Sequence, residues 1–316
     1  MFEFINPSAT LITEKDPLKL IESVGRTCYK SEDRITENSA RGFVRGLMKS
    51  QHTAMVEHSN IVFDLTPICK DDFSIFVSLI SCHFLNLTVN EEQGRVLVSG
   101  NVRALNEAVG TWFCKDGAAS LLKVLSTYNP DLVYADKESY CGAYADGIEI
   151  IDIDTIPQPS FEELAKHKYL SFRLVTDRGV THELVRHRVA SYGQESTRYV
   201  NYMKGISICL PTGFYDRPDV VQKEYQAAFV NADNHYRRLI ELGEKPQQAR
   251  AVLPTALKTE IVVTTNLAEW NHIWNLRLFG TTGAPHPDIK ALMDKVYNQA
   301  SAIPTVAKYL ALKKVA

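Results

Sequence analysis

Apolar residues recur every three or four positions along several stretches of the chain, which is the spacing of amphipathic helices. The first stretch is typical, because Leu18, Ile21 and Val24 follow Asp16-Pro17, a helix N-cap and a proline in the first turn. Pro304 is expected to interrupt the last stretch, since proline does not continue a helix. The spacing predicts helices over residues 16–30, 39–50, 102–125, 216–243, 246–253, 266–278 and 287–303.

Short runs rich in apolar and β-branched residues lie between these stretches and are typical of strands. Val96-Leu97-Val98 and Ile261-Val262-Val263 are examples, and each is followed by two small residues and an asparagine that can cap a helix. Two explanations of this parallel stand, an internal repeat or a common strand-to-helix junction. The runs predict strands near 61–65, 95–98, 169–175, 206–210 and 258–265, and therefore a mixture of α and β structure.

Length and composition restrict the class of protein. The chain has 316 residues, of which 45% are hydrophobic and 23% charged, as in ordinary folded proteins. Its formal net charge of −2 provides no basic field, so nucleic-acid binding is not expected. The six cysteines are scattered without a C-x-x-C pair and are interpreted as reduced thiols. With no signal peptide and no apolar run of about 20 residues, we predict a cytoplasmic protein without a membrane partner.

The densest group of chemically active residues follows residue 182. Arg186-His187-Arg188 is followed, after seven residues, by Ser196 and then by Arg198. Arginine is permanently charged, and its planar fork suits phosphate and carboxylate groups. An isolated Arg-His-Arg is more often a solvated basic surface. The order of the residues that follow it favours a binding site for a small anionic molecule.

This region is predicted to be helical from Asp177 to about Ala190. At about 100° per residue, Glu183 and Arg186 would share one side, whereas Arg188 would lie nearly opposite Arg186. The two arginines would then bind different ligands or different parts of a site between subunits.

The sequence from His182 to His187 also invites comparison with a zinc-protease helix. Such a helix requires H-E-x-x-H, with the two histidines four residues apart on one face. Here they are five apart and point about 140° away from each other. We therefore predict no metal site.

With its flanks, the Arg-His-Arg-x7-Ser pattern resembles the signature of the flavin-dependent thymidylate synthases. His52–His58 is similar to the H-[ST]-x-x-x-E-H segment of that family, and Asn275-Leu276-Arg277 is similar to its flavin-contacting segment. His286–Lys290 resembles its last motif, with lysine in place of arginine. The resemblance covers residues 16–65 and 167–300. It implies an α/β fold of the α+β type, with a central, mostly antiparallel or mixed sheet and flanking helices.

The resemblance also implies an activity, reductive methylation of dUMP to dTMP. Methylenetetrahydrofolate would donate the carbon, and FAD, reduced by NADPH, would supply the hydride. The family forms homotetramers with sites between subunits. The residues implied as catalytic are Arg186, Ser196 and Lys290. Those implied as substrate-binding are Glu183, Arg186, Gln194, Glu195, Ser196, Arg198, Lys258 and Lys290, and those implied as cofactor-binding are His58, Asn60, Arg186, His187, Arg188, Gln194, Asn275 and Arg277.

The chain departs from compact family members in its middle. About a hundred residues intervene between the strand near 61–65 and the arginine motif, and their apolar and helical patterns indicate a folded segment. We predict a single domain over residues 1–316 with a folded insertion at 66–166. Either the strand at 61–65 or the strand at 169–175 could be the one that precedes the motif helix in the family fold.

Two further expectations concern chemistry. Ser196 has no histidine or aspartate at a diagnostic position to act as its base, so a hydrogen-bonding role is expected. Cys28, in the first predicted helix, is expected to be a buried structural thiol.

The alternative function is a catalytically inactive nucleotide-binding or sensor protein that retains the pocket for FAD and dUMP.

Overall fold

A computed structural model describes residues 3–69, 74–80 and 82–313. These residues form a mixed α/β structure whose larger sheets are antiparallel, which confirms the predicted fold class. The strands are β1 (Glu3–Ile5), β2 (Ser8–Ile12), β3 (Asn60–Asp64), β4 (Leu85–Asn90), β5 (Arg95–Asn101), β6 (Glu149–Ile151), β7 (Tyr169–Asp177), β8 (Ser191–Gln194), β9 (Ser207–Cys209) and β10 (Lys258–Asn266). The helices are α1 (Pro17–Tyr29), α2 (Ser39–Lys49), α3 (Thr66–Cys69), α4 (Ser74–Leu79), α5 (Val102–Ala108), α6 (Lys115–Tyr128), α7 (Phe161–His167), α8 (Arg178–Leu184), α9 (Asp219–Glu241), α10 (Pro246–Ala249), α11 (Leu267–Arg277), α12 (Pro287–Ser301) and α13 (Pro304–Lys313).

The sheet next to the arginine motif has the strand order β2-β7-β10-β8, with every neighbouring pair antiparallel. Its longest strands, β7 and β10, pair over their full length from Lys258 opposite Asp177 to Asn266 opposite Tyr169. β7 runs directly into α8, because the Asp177 carboxylate accepts a hydrogen bond from the Val180 N–H at 2.8 Å and caps the helix. The strand that precedes the motif helix is therefore β7 and not the strand near 61–65.

The strand near 61–65, β3, belongs to a second four-stranded antiparallel sheet of order β4-β5-β3-β6. Three of its strands, β4, β5 and β6, come from the predicted insertion at 66–166. Residues 70–73 and 81 of that range lie outside the described residues. The predicted central sheet is thus divided into two sheets, and a short parallel pair of β1 and β9 accompanies them.

Helix boundaries differ from the sequence predictions at several points. The predicted helix at 102–125 is two helices, α5 and α6, separated by a short 3-10 turn at Trp112–Cys114. Pro304 interrupts the last predicted helix, as expected, but it also occupies the first position of α13. A proline is tolerated there because the N–H of the first helical residue has no partner within the helix. A helix therefore follows where none was predicted.

Each sheet has its own apolar core. One cluster of buried residues joins α1, α2, α6 and the sheet of β3, and another joins the sheet of β7 to α11 and α12. Trp270 and Trp274 of α11 are fully buried in the second cluster, so their spacing reflects packing. No helix within the described ranges is both long and apolar enough to cross a membrane. All six cysteines belong to those ranges, and each is a free thiol.

Candidate functional site

The Arg-His-Arg motif lies in the connection between α8 and β8 and not on a helix. α8 ends at Leu184, so the predicted helix through Ala190 is wrong beyond that residue. The last turn tightens there, because the Leu184 carbonyl oxygen accepts from the His187 N–H at 3.0 Å instead of from residue 188. The Tyr192 hydroxyl lies 2.7 Å from the Leu184 carbonyl oxygen and 2.6 Å from the His187 carbonyl oxygen and has one hydrogen to share between them. The predicted angle between the two arginines therefore does not apply.

None of the three motif arginines has an acidic partner among the described residues. Arg186 and Arg188 are exposed, and neither side chain has a hydrogen bond or ion pair to any residue of the described chain. Arg198 is also exposed, and its guanidinium lies 5.5 Å from the centre of the Tyr199 ring. Because a guanidinium fork binds oxyanions in pairs of hydrogen bonds, these side chains are available to an anionic ligand.

His187, the middle residue of the motif, is held in place by residues of α11. Its ring is buried, and its Nε2 lies 3.3 Å from the Arg277 Nε, while Arg277 Nη1 donates to the Glu183 carboxylate at 2.7 Å. A guanidinium can only donate, so His187 Nε2 accepts and the ring proton is on Nδ1. That nitrogen lies 3.4 Å from the Glu269 carboxylate. Three of the predicted residues, Glu183, His187 and Arg277, are thus joined in one network.

The same network contains a possible metal-ligand set. His187, Glu269 and His272 offer ligand atoms that lie within 4.8 Å of one another. A metal ion on His187 Nδ1 would require the ring proton on Nε2, where it would face the Arg277 donor at 3.3 Å. The positive charge of Arg277 would also repel a cation. The geometry therefore favours a hydrogen-bonded support for the motif.

A second group of predicted residues surrounds the carboxylate of Glu195, which is buried. Lys258 Nζ lies 3.2 Å from Glu195 Oε2 and 2.5 Å from Glu260 Oε1, and the Tyr202 hydroxyl donates to Glu195 Oε1 at 2.8 Å. Burial alone would raise the pKa of Glu260, but hydrogen bonds from Lys258 and Lys30 lower it to about 2. The positive and negative charges of this group therefore balance one another inside the protein.

Gln194 and Ser196 lie on either side of Glu195 and face different partners. The Gln194 side-chain amide donates to the hydroxyls of Thr181 and Thr259 at 3.0 and 3.2 Å. Ser196 is held by its backbone, whose N–H donates to the Cys28 carbonyl at 2.9 Å. Its hydroxyl accepts from the Arg198 N–H at 3.3 Å, and no imidazole or carboxylate of the described residues is bonded to it. This arrangement supports the hydrogen-bonding role predicted for Ser196.

A cleft of about 430 Å³ opens between the two four-stranded sheets. Two residues predicted to bind cofactor, Asn60 and Arg188, line it from opposite sheets. The volume lies within the range of small-molecule sites. The remaining polar lining includes Asn86, Asn101, Tyr169, Ser191, Thr265 and Asn266.

The other predicted residues lie apart from these groups. His58 is buried, its Nδ1 is 2.8 Å from the Thr264 hydroxyl, and burial lowers its pKa to about 3. Asn275 is half-buried near the C-terminal end of α11. Lys290 is exposed on α12. The structure therefore brings Glu183, His187 and Arg277 into one network and Glu195 and Lys258 into another, and the assignment of these residues to one binding site stays a prediction.

Sequence reasoning overlooked three residues that support the site. Glu260 shares a face of β10 with Lys258, which strand alternation could have indicated. Tyr202 and Arg178 contact Glu195, the latter through a 3.5 Å hydrogen bond to its carbonyl oxygen. No sequence signal identifies these two, because their contacts depend on how distant segments pack.

Comparison with known proteins identifies a related family. The sequence model of the family described as "Thymidylate synthase complementing protein" matches residues 10–70 and 153–304. These ranges include β3, the whole arginine motif and the segments at Asn275 and Lys290. Residues 71–152, most of the predicted insertion, are not matched.

Curated relatives agree with this match. The chain is 33% identical over 127 residues to a flavin-dependent thymidylate synthase from Geobacter sulfurreducens, covering 40% of this chain and 54% of the relative. It is 36% identical over 138 residues to one from Sulfolobus acidocaldarius, covering 42% and 49%. The chain thus spans about half the length of the curated relatives that it matches.

A solved structure of a UMP/dUMP methylase, PolB from Streptomyces cacaoi bound with 5-Br dUMP, can be superposed on the chain. The identity is 15%, the superposition covers 98% of this chain and 96% of that one, and the TM-score is 0.43. A likeness at this level is too distant to support a conclusion about activity.

Proposed function

Because the chain belongs to the thymidylate synthase complementing protein family, we propose that it is an FAD-dependent thymidylate synthase. In this reaction the methylene carbon of methylenetetrahydrofolate is transferred to C5 of dUMP and reduced by a hydride to a methyl group. The electrons come from NADPH. The names of the curated relatives support this activity, and nothing in the comparisons favours the alternative of an inactive nucleotide sensor.

The motif arginines provide the main support for this proposal. Arg186, Arg188 and Arg198 are exposed and lack carboxylate partners in the described chain, whereas the arginines of the surrounding network are paired. Unpaired, clustered guanidinium groups are expected where a phosphate or an anionic ring binds. This is the chemistry that dUMP presents.

Uracil C5 is a weak nucleophile until negative charge on the ring is stabilised. Cationic groups aimed at the pyrimidine oxygens provide that stabilisation without a covalent bond. We assign this role to Arg186 and Lys290, and phosphate or ring binding to Arg198 with Ser196, Gln194 and Glu183 nearby. Glu195 and Lys258 hold each other in place behind this surface at 3.2 Å.

Neither Cys28 nor Cys209 is suited to the covalent route in which a thiolate attacks C6 of uracil. Burial raises the pKa of Cys28 to about 11 and that of Cys209 to about 12, so both thiols are protonated at neutral pH. Cys28, the nearest cysteine to Ser196, is 9% exposed, which confirms the expectation of a buried structural thiol. This supports the activation of dUMP by charge.

The residues around the cleft fit a flavin nucleotide. Arg188 offers an unpaired cation for phosphate, and Asn60, Asn86 and Asn101 offer amides for a polar ring edge. When bound, FAD would supply the hydride transfer. Asn275, Arg277, His58 and His187 are proposed to support this cofactor site, His187 by holding the motif in place.

We also propose a homotetramer in the cytoplasm. Lys290 is exposed on α12, and a site between subunits would allow it to contact dUMP bound by a neighbouring subunit. The free state of all six cysteines is compatible with a reducing compartment.

The direct test is to incubate the protein with FAD, NADPH, methylenetetrahydrofolate labelled in its methylene carbon, and dUMP, and to measure labelled dTMP. Arg186→Ala should abolish dTMP formation and dUMP-dependent flavin oxidation in a folded oligomer. Arg238→Ala, which removes an exposed arginine of α9, should retain both. Normal turnover by Arg186→Ala would contradict the site assignment.

A further inference from the structure

The two four-stranded sheets repeat one pattern of pairing. The two sheets can be compared when their strand orders are written as β6-β3-β5-β4 and β2-β7-β10-β8. Among the last three positions of each order, the strand in the second position comes first along the chain, the strand in the fourth position comes next, and the strand in the third position comes last. The third strand of each sheet ends at an asparagine that caps the next helix. Asn101 accepts from the Ala104 N–H at 2.8 Å, and Asn266 accepts from the Glu269 N–H at 3.0 Å.

The registers of the two sheets correspond residue by residue. Two positions before its cap, Ser99 of β5 faces Val62 of β3 and Asn86 of β4. Two positions before the other cap, Thr264 of β10 likewise faces Ser171 of β7 and Ser191 of β8. Ser99 therefore corresponds to Thr264, and Asn86 corresponds to Ser191.

These three strands of each sheet, with the segment before them and the helix after them, form one unit, which runs from His58 to α5 in one case and from His167 to α11 in the other. A reciprocal pair of hydrogen bonds joins these two units. His58 lies four residues before Val62, and its Nδ1 is 2.8 Å from the hydroxyl of Thr264 in the other sheet. His167 lies four residues before Ser171, and its Nδ1 is 2.7 Å from the hydroxyl of Ser99. Each unit thus sends an equivalent histidine to the equivalent position of the other. A shared type of strand-to-helix junction would not produce this exchange, whereas an internal two-fold repeat does.

The repeat assigns equivalent residues to the two walls of the cleft. Counting from the pair of Asn86 and Ser191, His83 corresponds to Arg188 and Phe84 to Val189, and all six of these positions line the cleft. The predicted insertion contains no Arg-His-Arg sequence. The wall from β4 and β5 is therefore a diverged copy that has kept its position and lost the motif.

We propose that the unit from His58 to α5, most of which belongs to the predicted insertion, is a diverged second copy of the motif-bearing unit, and that its insertion part supplies, within the same chain, the wall against which the ring of the flavin binds. This inference rests on the proposed function and names residues, His83, Phe84 and Asn86, that lie in the segment the family model does not match. The site is then built from two halves of one polypeptide.

The charges on the two walls indicate which way FAD would lie in the cleft. Arg103 is the one lysine or arginine among the described residues that line the insertion wall, and it is paired with Glu57 at 2.9 Å and Glu107 at 2.7 Å, so its charge is already balanced and this wall is unfavourable for phosphate. The Phe84 side chain is 79% exposed and offers an apolar face for a flat ring. Arg188, on the opposite wall, is the unpaired cation. The phosphates therefore lie toward Arg188 and the ring toward Phe84.

The test is an equilibrium titration of the full-length protein with FAD, followed by flavin fluorescence, with dUMP binding measured separately by calorimetry. Phe84→Ala should raise the Kd for FAD about tenfold, as expected for loss of a stacking side chain, and leave dUMP affinity unchanged. Phe84→Tyr should retain the wild-type Kd. Trp112→Ala is the matched control, because Trp112 belongs to the same insertion, is 85% exposed and does not line the cleft.

The outcomes separate this inference from the proposed function. A wild-type protein that binds no FAD would overturn both. Wild-type binding of FAD that Arg188→Ala weakens, with no change in Phe84→Ala, would overturn only the role of the insertion. An equal loss of affinity in Phe84→Ala and Trp112→Ala would also overturn it, because the effect would then not depend on the cleft.

Discussion

His167 Nδ1 lies 2.7 Å from the hydroxyl of Ser99, and its Nε2 lies 2.8 Å from the hydroxyl of Thr88. The ring is fully buried, and its hydrogen bonds link the last residue of α7, just before β7, to β4 and β5 of the other sheet. Burial lowers the pKa of His167 to about 3, and the pKa of His58 is lowered to the same value for the same reason. The contact between the two halves therefore depends on two uncharged histidines.

This relationship predicts a pH dependence of stability. Between pH 6.5 and pH 5 the unfolded chain takes up protons on both histidines and the folded chain does not, so the free energy of unfolding falls as the pH falls. The slope contributed by each is at most about 1.4 kcal/mol per pH unit. In His167→Gln the slope should be shallower, while His52→Gln, at an exposed position, should keep the wild-type slope. Urea unfolding at pH 7, 6 and 5 measures this, and an unchanged slope in His167→Gln would refute the prediction.

Glu260 should be the carboxylate whose loss most destabilises the site region. It accepts from Lys30 and Lys258 at 2.5 Å and from Arg173 Nε at 2.8 Å. In Glu260→Gln these cations would lose their shared counter-charge in a buried setting, and the free energy of unfolding should fall by about 3 kcal/mol.

The matched control for Glu260 is Glu241→Gln, which removes the carboxylate of an exposed pair with Arg238. That change should cost about 0.5 kcal/mol or less. Chemical denaturation at neutral pH compares the two variants. Equal losses of stability would mean that the Glu260 network is no stronger than a surface pair.

Lys290→Arg should increase turnover. Lysine keeps the positive charge at this position, but arginine would offer two parallel donors to a pyrimidine oxyanion. We expect a higher kcat for dTMP formation, with the equilibrium Kd for dUMP within about twofold of wild type, because the gain is made in the transition state.

Lys295→Arg, at another exposed position of α12, is the control and should leave kcat unchanged. A Lys290→Arg variant with wild-type or lower kcat would argue against a catalytic role for this position.

Local features of the site could be predicted from the sequence. Asp16, Asp177 and Asn266 cap helices as their sequence contexts indicate. The strands predicted near 169–175 and 258–265 are also present, as β7 and β10. These features depend on neighbouring residues, and short-range rules are sufficient for them.

Features made by distant segments could not be predicted in the same way. The Tyr192 hydroxyl lies 2.7 Å from the carbonyl oxygen of Leu184, the last residue of α8, and Glu260 meets Lys30 across 230 positions of sequence. The parallel between residues 96–104 and 261–269 could be seen in the sequence, but it had two explanations. Only the reciprocal contacts of His58 and His167 distinguish a repeat from a common junction.

FAD and dUMP are proposed to bind next to each other in one site. The most direct measurement is a visible absorption spectrum of the purified protein with added FAD, recorded before and after addition of dUMP. We predict a bound flavin band whose position shifts on addition of dUMP, because the nucleotide changes the environment of the ring. A protein that neither retains nor binds FAD, or a flavin band that dUMP leaves unchanged at saturation, would contradict the account.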